Sequence, residues 1–95
     1  MRTMLLVHFP PETGNPAIKD GSIGKVIEKV MGVLKPEVSY FFPREGQRAF
    51  LAVFNLADSS DIAAALEPLW LSLNARVELI PVMTAEDLKK GLSRL

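Results

Sequence analysis

The spacing of apolar residues along this chain switches between a two-residue and a three-to-four-residue period, and each switch marks an element. Met4 to Phe9, "MLLVHF", is a short apolar run closed by Pro10 and Pro11, which predicts a strand. "PPETGNPA" after it reads as a turn-rich loop. From Ser22, Ile23, Val26, Ile27, Val30 and Leu34 recur at helical intervals, with Asp20 or Ser22 able to cap the helix and Pro36 ending it. "EVSYFF" (Glu37 to Phe42) and "RAFLAVFNL" (Arg48 to Leu56) are aromatic and β-branched, and Glu45-Gly46 between them suits a tight hairpin turn. A second helix opens at "ADSSDIAAAL", with a stripe of Ile62, Leu66, Leu69, Trp70 and Leu73 and with Asn74 as a left-handed stop. "RVELIPVM" reads as a strand. "TAED" resembles a capping box and starts a last helix that carries Leu88, Leu92 and Leu95.

Strand, helix, strand, strand, helix, strand, helix is the order of an α+β, ferredoxin-like βαββαβ unit with a C-terminal helix. Its antiparallel four-stranded sheet has order 4-1-3-2 and both main helices on one face. Residues 1–95 form one domain. Pro81 has no N–H for a ladder, so its strand belongs at a sheet edge. Pro68 sits inside the second helix, which predicts a bend near Ala64 to Glu67 or two short helices meeting there.

Both sheet faces are apolar. Val38, Tyr40 and Phe42 alternate with Phe41, and Ala49, Leu51 and Val53 alternate with Phe50 and Phe54. If two helices cover one face, the expectation is that Phe41, Phe50 and Phe54 lie on the other. At ~150–250 Å² each, three aromatics exceed or match the largest apolar patch of an ordinary monomer, ~300–600 Å². The expected cover is a second copy of the sheet in a two-fold homodimer. The rival cover is the C-terminal helix folded back.

Composition narrows the function classes. The 11 basic and 11 acidic residues balance and form no basic cluster, which argues against a nucleic-acid partner. The absence of cysteine removes disulfides, thiolate metal sites and thiol nucleophiles. The N-terminal apolar run is too short for a secretory core or a membrane span, so a soluble, cytoplasmic protein is expected. No cofactor motif is present, because "DGSIG" fits neither dinucleotide nor P-loop spacing.

The segments "IKDGSIG" (Ile18 to Gly24), "KPEVSYFF" (Lys35 to Phe42), "NLADSSDI" (Asn55 to Ile62) and "EPLWLSLNARVELIPVMTAEDL" (Glu67 to Leu88) resemble a small bacterial family with the dimeric α/β-barrel fold. The resemblance implies a ferredoxin-like protomer whose sheet packs on a partner's. The wider superfamily includes muconolactone-isomerase-like enzymes, cofactor-free monooxygenases and ligand-sensing domains. The resemblance assigns no catalytic role to any residue here.

The residues that can carry chemistry are few. His8, the only histidine, suits a general base or a strand-end hydrogen bond; alone it makes no metal centre. Tyr40 suits a donor or core packing, and Arg48 a carboxylate clamp or, with Glu37, an ion pair at a subunit seam. Arg76 and Glu78 divide the same way. Phe41, Phe50, Phe54, Trp70 and Glu67 are candidate pocket residues. Two readings follow: a small homodimeric ligand-binding or structural barrel protein taking a small apolar ligand, or a cofactor-independent isomerase or monooxygenase acting on a hydrophobic or aromatic acid, with His8, Tyr40 and Arg48 converging.

Overall fold

The structure is a computed structural model describing residues 1–95. Its elements are β1 (Arg2–Phe9), α1 (Pro11–Asp20), α2 (Ser22–Leu34), β2 (Val38–Arg44), β3 (Gln47–Asn55), α3 (Ser60–Leu73), β4 (Arg76–Pro81) and α4 (Ala85–Leu92). The strands form one antiparallel sheet in the order β2-β3-β1-β4, the ferredoxin-like order anticipated from the sequence. Pro81 closes the edge strand β4, where its missing N–H costs no ladder bond. At the β2–β3 turn, Glu45 and Gly46 both have positive φ, 54° and 73°, as a type I′ hairpin demands.

"PPETGNPA" is not a loop. It opens α1, with Pro11 in the first turn, where a missing N–H goes unnoticed. Pro16 lies further along the same helix, so prolines read as breakers stand inside a helical segment. Gly21, at φ 79°, separates α1 from α2 and lets the chain turn between them. The Asp20 carboxylate accepts a hydrogen bond from the Ser22 N–H at this junction. Lys35 ends α2 in the left-handed conformation, just before Pro36. The segment α3 is one continuous helix through Pro68, not two short ones, and it stops at Asn74 in the left-handed conformation.

The core lies between one sheet face and the helices. Leu5, Val7 and Phe9 of β1 and Phe50, Ala52 and Phe54 of β3 are buried there. They meet Val30 and Leu34 of α2 and Leu66, Leu69 and Leu73 of α3. Phe50 stacks on Phe9, ring centroids 5.8 Å apart, and packs against the tilted ring of Phe41 at 5.4 Å. The Thr13 hydroxyl donates to the Leu73 carbonyl and ties α1 to the end of α3.

The face expected to stay open is therefore the covered one. Phe50 and Phe54 are 0% and 3% exposed beneath the helices, and only Phe41 on the outer strand stays accessible. The bare face, the one no helix covers, is the other one, although Leu6, His8 and Ala49 are buried within it. It carries Met4, Leu6 and His8 of β1, Ala49, Leu51 and Val53 of β3, Val38, Tyr40 and Phe42 of β2, and Arg76, Glu78 and Ile80 of β4. Counting aromatics on the hairpin misplaced the helices. The edge strand decides the matter, because β4 gives Val77 and Leu79 to the core and turns Arg76 and Glu78 outward.

The C-terminal helix α4 does not fold back over the bare face. None of its residues is buried, and Leu88 and Leu92 are exposed. Its start is well made: the Thr84 hydroxyl accepts from the Asp87 N–H, and the Asp87 carboxylate accepts from the Thr84 N–H. The helix projects from the body, which gives the molecule extents of 51 × 28 × 17 Å.

Candidate functional site

The helices lie over β1, β3 and the core, and leave the helix-side surface of β2 uncovered. A cleft of about 730 Å³ results between β2, the start of β3 and the α1–α2 pair. Ile18, Ile23 and Ile27 form the helical wall, and Phe9 and Phe41 the sheet wall. The cleft exists because "PPETGNPA" is helical: Pro11, Asn15 and Ile18 of α1 close one end.

Polar groups gather at that end. Arg48 stands on the helix side of β3, opposite Phe9 of β1 and Pro43 of β2. Its Nη1 donates to Asn15 Oδ1 at 2.7 Å. Guanidinium is a donor only, so Asn15 must present its oxygen and keeps its amide NH₂ free. Gln47 lies beside them. None of the 13 lining residues is acidic, and Arg48 joins neither of the molecule's ion pairs.

The other proposed catalytic residues are elsewhere. His8 and Tyr40 point to the bare face, while Arg48 points into the cleft on the opposite side of the sheet. The three do not converge in the single chain. His8 is 1% exposed, and neither ring nitrogen has a hydrogen-bond partner, so the expected backbone or neighbour bond is absent. Arg76, its neighbour across β4, bonds Glu45 of the hairpin turn at 2.9 Å. That bond, more than charge alone, holds the Glu45 carboxyl below its ordinary range. Tyr40 is exposed.

Of the pocket candidates, Phe41 lines the cleft, Phe50 packs against it in the core, and Phe54 lies in the core toward the opposite end of β3, opposite Thr3. Glu67, beside Pro68, borders a shallower groove of about 470 Å³ between α2 and α3, with Lys25 and Lys29 across from it. Trp70 is half-exposed on α3 and lines neither. Glu37 does not reach Arg48; it pairs with Arg2 at 2.7 Å within the same chain. Asn15 and Gln47 were missed from the sequence, the first because its segment read as loop, the second because it lay at the turn.

No three His, Asp or Glu side chains gather where they could hold a metal ion. No helix is long and apolar enough to cross a membrane.

No family model matches the chain, and no curated protein does. Two solved structures are similar in outline. The crystal structure of protein Atu4242 from Agrobacterium tumefaciens is 14% identical over 90% of this chain and 96% of that one, with a TM-score of 0.47. The crystal structure of MupZ from Pseudomonas fluorescens is 18% identical over 99% of this chain and 79% of that one, with a TM-score of 0.44. The ferredoxin-like assignment rests on strand order and register, not on these likenesses.

Proposed function

We propose that this chain is a homodimeric ligand-binding protein whose two sheets pack through their bare faces into an α/β barrel, each protomer keeping its own cleft. The observation that carries the reading is surface in excess of a compact monomer's, with apolar residues exposed on it. The chain exposes 6205 Å², whereas a folded monomer of 10.5 kDa exposes about 5,400 Å². The excess of roughly 800 Å² equals one partner's share of a standard interface. The bare face supplies Tyr40, 62% exposed, amid Val38, Phe42, Leu51, Val53 and Ile80. The outward Leu88–Leu92 stripe of α4 supplies part of the same excess.

Sedimentation velocity at micromolar concentration tests this reading. The wild-type chain should run as a dimer, and Leu51→Asp should run as a folded monomer with an unchanged far-ultraviolet spectrum. A wild-type chain that stays monomeric at 50-fold higher concentration would overturn the dimer.

A further inference from the structure

The cleft has a defined chemistry, and this inference rests on its being a ligand site. Its walls are isoleucine and phenylalanine. Its polar end presents three donor side chains, Arg48, Asn15 and Gln47, and no carboxylate. An arginine without an acidic partner beside apolar walls is an unanswered positive charge. Asn15 already fixes its orientation, so little side-chain freedom is lost on binding.

We propose that the cleft takes a small monocarboxylic acid with a flat, apolar body. The body lies against the exposed ring of Phe41, which is itself held by its contact with Phe50. The carboxylate accepts from the Arg48 guanidinium and the free Asn15 amide. A single arginine, without a glycine nest or a second cation in the lining, suits one carboxylate better than a phosphoryl group, which calls for more donors. Asn15 thus acts twice: its Oδ1 fixes the guanidinium, and its amide reaches the same carboxylate. Nothing in the binding mode needs His8 or Tyr40, so it is independent of the dimer face.

The probes are 2-naphthoic acid and its uncharged isostere 2-naphthamide, titrated into the ¹⁵N- and methyl-labelled chain at pH 7. The acid is expected to shift Ile18, Ile23 and Ile27 methyl signals and to bind about ten- to hundredfold more tightly than the amide, the factor a charge-assisted hydrogen bond supplies. Arg48→Gln should abolish that preference and leave amide binding unchanged. Asn15→Ala should reduce the preference only in part. Arg48 is exposed and its one side-chain bond is to Asn15, so both variants should keep the wild-type spectrum. If the amide binds the same methyls as tightly as the acid, or if Arg48→Gln keeps the preference, the carboxylate assignment falls and the apolar cleft survives. If neither probe moves those methyls, the ligand-binding reading itself falls, and this assignment with it.

Discussion

A buried imidazole whose two nitrogens lack partners is costly, since each desolvated polar group left unpaired costs about 1–3 kcal/mol. His8 is such a residue, near the end of β1 and flanked by Ala49 and Arg76 on the neighbouring strands. Replacing it by an apolar side chain of similar length removes the unpaired groups and keeps the packing. His8→Leu is therefore expected to stabilise the chain by about 1 kcal/mol, a rise in Tm of about 4–8 °C for a domain this small. Differential scanning calorimetry reads this directly. A fall in Tm would mean that in solution the ring finds a partner, such as a water held under the Arg76–Glu45 bridge. The helix side of the hairpin gives a second contrast, between covered β3 and uncovered β2. Phe50→Ala opens a cavity in a fully buried site and should cost about 3–5 kcal/mol. Phe41→Ala, with its ring 59% exposed, should cost a fraction of that in urea unfolding. Equal costs would contradict a helical layer that covers β3 and leaves β2 open.

At the scale of elements, helix starts and stops follow from local chemistry, while coverage does not. The Thr84–Asp87 box, the Glu45-Gly46 turn and the stop at Asn74 were all legible, because each depends on a few adjacent residues. Strand order was legible too, through Pro81 and the alternation of helix and strand. Helix α1 was not legible. Its prolines and glycine carry turn signals, and it buries only Gly14 and Ala17, too little to produce an apolar period. Missing α1 hid Asn15 and with it the cleft's polar end. The face the helices cover was also misread, because both faces of β2 and β3 are apolar and only Arg76 and Glu78 on β4 break the tie. Helix α4 shows the limit of local chemistry. Eight residues are too few to be a stable helix alone, and it buries nothing in its own chain. Thr84→Ala removes half of the capping box, worth about 1 kcal/mol. If α4 closes on a second chain, that change should weaken dimerisation about three- to tenfold by sedimentation equilibrium and leave the protomer's strands intact. An unchanged dimer constant would place α4 outside the seam.

For the whole molecule, charge enters through acid sensitivity. Four carboxyls lie below their ordinary range: Asp20 through the Ser22 hydroxyl and N–H, Asp58 through the Ser60 hydroxyl and N–H, Asp87 through the Thr84 N–H and hydroxyl, and Glu45 through the Arg76 guanidinium. Each is lower folded than unfolded, so each stabilises the fold in its ionised form. That contribution is complete above the unfolded carboxyl value, about 4. It disappears as the pH falls through the lower folded values, because the unfolded chain then takes up protons first. Their positions make the loss specific. Asp20, Asp58 and Asp87 sit at the starts of α2, α3 and α4, and Glu45 ties the hairpin turn to β4. Protonation therefore loosens three helix starts and one long-range tie together. All four groups are exposed, so each effect is small and salt-screened. Thermal unfolding followed by circular dichroism should show Tm falling steadily from pH 4 to 2. Asp58→Asn should flatten that fall, since one of the titrating groups is gone. A Tm that rises on acidification from pH 5 to 3 would show that these carboxyls are held at or above their unfolded values, and that the caps and the hairpin bridge do not form as described.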